Sequence, residues 1–97
     1  MIVAVPDSTS TEVLAAVTGG VKSHAVWFQN FDTTNGVRVN SGNSADAEEF
    51  MIPAAESASK PSSLVIQSSG GDETLVNGSW EAYQASGGSI NLYCGRW

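Results

Sequence analysis

Short runs of apolar and β-branched residues, separated by turn residues roughly every ten positions, dominate the hydrophobic pattern of this chain. Within most runs apolar and polar residues alternate, which is the period of a strand with one buried face. The pattern predicts strands near residues 2–5, 12–17, 22–31, 36–41, 48–53, 62–68, 73–77, 79–85 and 89–94. The stretch over 11–17, "TEVLAAV", fits a short helix as well as a strand, and the pattern leaves that choice open.

These strands predict an all-β fold, either a small antiparallel β-sandwich or a jelly-roll-like barrel of about 7–9 short strands. The run "KSHAVWFQNF" carries apolar residues on both faces, with Val26 and Phe28 on one and Trp27 and Phe31 on the other. We therefore expect this strand to be central and covered on both sides, by a second sheet and by a neighbouring subunit.

Three pairs of turn residues predict tight hairpins. Asn35-Gly36 supplies the positive φ angles of such a turn, and Asn77-Gly78 and Gly87-Gly88 punctuate the later strands in the same way. The second pair would join "ETLV" to "WEAY", and the third would join "WEAYQA" to "INLYC".

The length of 97 residues suits one small domain. We expect a single β-sandwich domain over 11–97, preceded by an N-terminal arm over 1–10 that extends onto another subunit. The first residues lack the basic region and the long apolar stretch of a signal peptide, and no run approaches the length of a membrane span. Synthesis in a cytoplasm is therefore expected.

The charge pattern disfavours two classes of partner. The net charge is −6, and the four basic residues are scattered along the chain. Binding to a phosphate backbone or to an anionic membrane needs grouped cations, so neither nucleic acid nor membrane is an expected partner. Charged residues make up only 14% of the chain, so the surface must be rich in Ser, Thr, Asn, Gln and Gly.

Reactive side chains are few. His24 is the single histidine and has no nucleophile motif beside it, so no hydrolytic triad is predicted. Cys94 is the single cysteine and lies in an apolar run, which predicts a buried, unreactive thiol. We expect no catalytic residues, no cofactor and no metal site. Among metals, calcium fits the sequence best, because carboxylates are its preferred ligands, but the spacing of the loop carboxylates matches no EF-hand. These carboxylates are Asp32, Asp46, Glu48, Glu49, Asp72 and Glu73.

The aromatic residues point to contacts with other molecules. Trp27, Trp80 and Trp97, with Tyr83 and Tyr93, could offer a stacking platform for sugars. Trp97 at the C-terminus is expected to pack on a neighbour, since a large apolar group left in water indicates an interaction site. The residues predicted to contact another subunit or a capsid are Ile2, Val3, Val5, Trp27, Phe31, Arg96 and Trp97.

A polar start and three segments after it together resemble small β-sandwich virion proteins of tailed phages. The segments are "VWFQNFDTTNGVRVNSGNSADAEEFMIPAAES", "PSSLVIQ" and "WEAYQASGGSINLYC", and the resemblance covers roughly residues 23 to 94. Phe28-Gln29-Asn30, the stretch 37–42, the stretch 50–56 and the stretch 83–92 carry it. The resemblance implies a jelly-roll or related sandwich, no transferable active-site residue, and capsid decoration or cement as the commonest role.

The expected function is therefore that of a non-enzymatic virion structural protein on the capsid surface. Its partners would be the major capsid protein or other virion proteins, and it would assemble as a homotrimer. A head–tail connector or tail-fibre component is an alternative that needs the same kind of surface. A carbohydrate-binding β-sandwich module is a second alternative, which rests on the aromatic residues.

Overall fold

The computed structural model describes residues 1–20, 22–42, 49–67 and 74–97. Over these residues it contains eight strands and one turn of helix. In chain order they are β1 (Ile2–Val5), β2 (Thr11–Leu14), β3 (Ala25–Asn30), β4 (Val37–Ser41), β5 (Glu49–Ile52), β6 (Ser62–Gln67), α1 (Thr74–Asn77), β7 (Trp80–Tyr83) and β8 (Ile90–Arg96).

The strands form two antiparallel sheets of four. The first sheet has the order β1-β8-β3-β6 and the second has the order β2-β7-β4-β5. Strand β1 therefore pairs with β8, β2 with β7, β3 with β6 and β4 with β5. This is one long antiparallel hairpin folded over on itself, which is the strand order of a jelly roll.

The predicted all-β sandwich of short strands is thus confirmed. Strand β3 is central in its sheet, between β8 and β6, as the apolar residues on both of its faces indicated. The 11–17 stretch is a strand at Thr11–Leu14 rather than a helix. Its pairing with β7 is irregular between Glu12 and Leu14.

The predicted hairpins at Asn35-Gly36 and Gly87-Gly88 are wrong. Strands β3 and β4 lie in different sheets, and so do β7 and β8, so both turns cross from one layer to the other. Neither Asn35 nor Gly36 has a positive φ. A Cβ at Gly36 would instead lie 3.1 Å from the Ile52 carbonyl oxygen, so a side chain there would crowd the backbone of β5.

The hairpin predicted at Asn77-Gly78 is also wrong, because residues 74–77 form helix α1 rather than a strand; residue 73 lies outside the described part. A tertiary contact explains the difference. The buried Asn77 accepts a hydrogen bond from the Ser23 amide at its Oδ1 (2.8 Å) and donates one from Nδ2 to the Ser23 carbonyl (2.9 Å). Its own carbonyl accepts from the Val17 amide at 2.8 Å. These hydrogen bonds of Asn77 satisfy buried polar groups, and they outweigh the local preference of this segment for a strand.

The core lies between the two sheets and follows the predicted alternation. Trp80 and Ala82 of β7 face inward, as do Leu92 and Cys94 of β8. The other buried members of the core cluster are Val5, Val13, Leu14, Val26, Phe28, Val37, Val39, Ile52, Val76 and Ile90. Phe28 and Trp80 meet across the layers with ring centroids 5.4 Å apart.

The N-terminal residues belong to this sandwich. Ile2–Val5 form the outermost strand of the first sheet, and the Met1 amino group donates a hydrogen bond to the Cys94 carbonyl at 3.1 Å. The segment over 1–10, which was expected to extend onto another subunit as an arm, thus contributes β1 to its own domain.

Candidate functional site

The outer face of the first sheet is uncharged over its described residues. We call it the plain face. It is formed by the side chains of β1, β8, β3 and β6 that alternate with those in the core: Ile2, Ala4, Trp27, Gln29, Ser63, Val65, Gln67, Asn91, Tyr93 and Gly95, with Phe31 at the end of β3.

Strand pairing places the large side chains of the plain face next to one another. Ile2 is opposite Tyr93, and Trp27 lies between Gly95 and Val65. Gly95 leaves room for the Trp27 indole, since a Cβ at Gly95 would lie 2.8 Å from the ring. Phe31 contacts Tyr93 with ring centroids 4.7 Å apart and the two rings tilted by 54°. The result is a flat apolar strip across the sheet, in which Ile2 and Val65 are about half exposed.

The outer face of the second sheet is different. It carries Glu12, Arg38, Glu49 and Glu81, so carboxylates outnumber cations on it. Arg38 forms an exposed ion pair with Glu49 at 3.6 Å. Charged side chains lose their hydration when a partner covers them, which costs free energy. This face is therefore a poorer docking surface than an uncharged one. The two faces of the sandwich are therefore chemically unequal.

The structure brings together only part of the predicted contact set. Ile2, Trp27 and Phe31 share the plain face, and Trp97 extends beyond β8 with its side chain 54% exposed. Val5 is fully buried in the core, and Val3 packs against that core, so these two side chains do not face a neighbour. Alternation along β1 could have shown this, because Ile2 and Val3 point to opposite sides.

Arg96 has an internal role. Its guanidinium donates from Nε to the Val76 carbonyl (3.0 Å), from Nη1 to the Ala15 carbonyl (2.6 Å), and from Nη2 to the Gly78 carbonyl. Burial lowers the pKa of Arg96 from its ordinary value. The side chain therefore joins the end of β8 to α1 and to the segment after β2, rather than standing open to a partner.

The loop that follows β3, at one end of the plain face, is held in place by side-chain hydrogen bonds. The buried Asn30 donates from Nδ2 to the carbonyls of Asn35 (2.9 Å) and Pro53 (3.1 Å), and its Oδ1 accepts from the Asp32 amide. The Asp32 carboxylate accepts from the amides of Asn35 (2.7 Å) and Thr34 (2.9 Å). The loop is thus fixed by side-chain amides and one carboxylate, which preorganises this border of the face.

Replacing Asp32 with Asn should change how stability depends on pH. The amides of Asn35 and Thr34 lower the pKa of Asp32 below its ordinary 3.8, so its stabilisation is present above pH 4 and is lost as the pH falls through the folded-state pKa. Because Asp32 is partly exposed and water screens its charge, we expect Asp32→Asn to cost no more than about 0.5 kcal/mol at pH 6, and less at pH 2, where more of the carboxyl group is protonated. Urea unfolding at both pH values measures this; an equal loss at the two would contradict it.

Reactive groups do not form a site among the described residues. No group of three or more His, Cys, Asp or Glu there could hold a metal ion. Four of the loop carboxylates considered for calcium, Asp46, Glu48, Asp72 and Glu73, lie outside the described ranges. Cys94 is buried, as expected, and burial raises the pKa of its thiol. The described part of the chain has no helix of the length and hydrophobicity that crossing a membrane requires.

The sugar-stacking platform is not present as predicted. Trp80 is completely buried, and its Nε1 donates to the Leu75 carbonyl at 3.0 Å. A shallow depression of about 260 Å³ lies on the second sheet, beside Arg38, Met51, Tyr83 and Gln84. The side-chain amide of Gln84 already donates hydrogen bonds to the carbonyls of Val5 and Gly88.

Comparison of the chain with known protein families, with curated proteins and with solved structures found no match.

Proposed function

We propose that this protein is a non-enzymatic structural component of a virus particle that decorates the capsid by docking its plain face on neighbouring protein subunits. The observation that carries the proposal is the inequality of the two outer faces. Among the described residues, one face is uncharged and apolar in its middle, while the other carries more carboxylates than cations.

Protein-protein interfaces place aromatic residues at their centre and exclude charges from it. The plain face has Trp27, Tyr93 and Phe31 in that position, and none of its described side chains is charged. The strands that carry these side chains are held by their own hydrogen bonds and by the hydrogen bonds of Asn30 and Arg96. Because the frame is rigid, docking would cost little conformational entropy.

The jelly roll itself supports the proposal only in a general way, because this fold serves virus capsids, lectins and enzymes alike. A connector or tail-fibre position needs the same surface and stays a prediction, as does glycan binding. The homotrimer implied by the resemblance also stays a prediction.

The proposal predicts that the purified chain binds empty capsid shells assembled from the major capsid protein encoded in the same genome. Co-sedimentation with increasing chain concentration should show saturable binding with a fixed number of copies per shell. Bound shells should also resist heating or chelator treatment better than bare ones. Absence of binding to shells, together with binding to isolated connectors or fibres, would move the protein to another part of the particle; binding to none of these would remove the proposal.

A further inference from the structure

The four edges of the two sheets are not equally protected. Strands β1, β2 and β5 have only four residues each; β2 is irregular in its pairing and contains Glu12, and β5 contains Glu49 and is followed by Pro53. Short length, charge, proline and irregular pairing are the usual means by which a protein prevents its edges from binding other strands. Strand β6, "SSLVIQ", has six residues, no charge and no proline within it.

The hydrogen-bonding direction along β6 follows from its neighbours. Ala25 and Trp97 exchange both main-chain hydrogen bonds, at 3.1 and 3.2 Å, so Ala25 and Trp27 direct their polar groups toward β8. Val26 and Phe28 then direct theirs toward β6, where they are opposite Ile66 and Leu64. By the alternation of an antiparallel ladder, the amides and carbonyls of Ser63, Val65 and Gln67 point away from the sheet.

No described strand pairs with these outward groups, and the side chains of the same three residues are exposed. Each outward residue offers one donor and one acceptor, in a row that is self-complementary when a second row runs antiparallel to it. A copy related by a two-fold axis through Val65 would place Val65 opposite Val65, and Ser63 opposite Gln67. About six main-chain hydrogen bonds would form.

We propose that β6 pairs with β6 of a second copy of this chain, which joins the two first sheets into one continuous antiparallel sheet. A second copy is the occupant that this geometry favours, because the pairing is closed and uses the same residues on both sides. Charge also favours it. Each copy carries −6, yet the β6 strand and the plain face beside it bring no charged side chain among the described residues to the contact.

This inference does not depend on capsid binding, and it gives a two-fold pair rather than a trimer. The interface is small, so the pair should form in the micromolar range. Analytical ultracentrifugation from about 1 to 100 µM chain should show a monomer-dimer equilibrium. A chain that remains monomeric throughout, or that forms trimers, would overturn the inference.

A proline at Val65 tests the strand pairing directly. Its amide points away from β3 and pairs with no described strand, so Val65→Pro is expected to remove a donor that the second copy needs. We expect the dimer dissociation constant to rise at least tenfold, with circular dichroism showing the fold intact. Val65→Thr keeps the amide and the shape and should still dimerise. If the folded Val65→Pro variant dimerises as the wild type does, the pairing is through another surface.

Disulfide crosslinking is a second test of the pairing, in which the variant gains a covalent bond between the copies instead of losing a hydrogen bond. Residues directly opposite in a hydrogen-bonded antiparallel pair have Cα atoms about 5.5 Å apart, within disulfide range. Val65→Cys should therefore form a covalent dimer quickly under mild oxidation. Met51→Cys is the matched control, because Met51 is equally exposed on another edge strand, β5. Equal crosslinking by the two variants would contradict the proposed axis.

Discussion

Replacing Trp80 with Ala should remove about 3–5 kcal/mol from the free energy of unfolding. Trp80 is the largest completely buried side chain, and its ring contacts Phe28 of the opposite sheet. Its Nε1 also donates a hydrogen bond to the Leu75 carbonyl of α1. A domain of this size has about 5–15 kcal/mol of stability, so the variant should melt at least about 12 °C lower, as measured by calorimetry.

Two variants separate packing from the hydrogen bond. Trp80→Phe keeps an aromatic ring but loses the indole donor, and we expect an intermediate loss of about 1–2 kcal/mol. Trp97→Ala removes an exposed indole and should cost less than about 1 kcal/mol. If Trp80→Ala were as stable as Trp97→Ala, Trp80 would be a surface residue and a sugar-stacking role would be open again.

Replacing Arg96 with Ala should have the second largest effect, about 2–4 kcal/mol. Three carbonyls, those of Ala15, Val76 and Gly78, would lose a charge-assisted donor at once. Two of them are in or next to α1, which is too short to be stable without tertiary contacts. Denaturant unfolding monitored by tryptophan fluorescence measures the change.

Arg38 provides the matched control. Its ion pair with Glu49 is more than half exposed on both sides, and such pairs contribute little. Arg38→Ala should therefore change stability by less than about 0.5 kcal/mol. Arg96→Lys should fall between the two, since an ammonium cannot span three carbonyls as the planar guanidinium does. Equal stability of the Arg96 and Arg38 alanine variants would show that Arg96 does not form these three hydrogen bonds.

Alternation along each strand was sufficient to predict the fold class, because one face of each strand must be dry. The apolar run around Cys94 also predicted correctly that this thiol is buried, whereas Trp80, which was considered for a sugar-stacking platform, lies in the core. The connections could not be predicted in the same way. A turn motif such as Gly87-Gly88 reports a local reversal of the chain, and it does not say whether the next strand joins the same sheet or crosses to the other.

The plain face was predictable in part. Trp27 and Phe31 were correctly placed on the side of β3 opposite Val26, but the apolar strip depends on which strands lie beside β3. That information comes from the pairing of Trp27 with Gly95 and Val65. The internal hydrogen bonds of Arg96 could not be predicted from the sequence. The carbonyls that it binds lie about 18 to 81 positions away along the chain.

The proposed function requires that the plain face, and not the outer face of the second sheet, contacts capsid subunits. Shell binding by two lysine variants, Gln29→Lys and Asn40→Lys, tests this requirement. Both residues are partly exposed on central strands, β3 and β4, and differ mainly in the face they occupy. We predict that Gln29→Lys weakens binding at least tenfold while Asn40→Lys binds as the wild type does. Equal affinities for the two variants, or a loss confined to Asn40→Lys, would contradict the account.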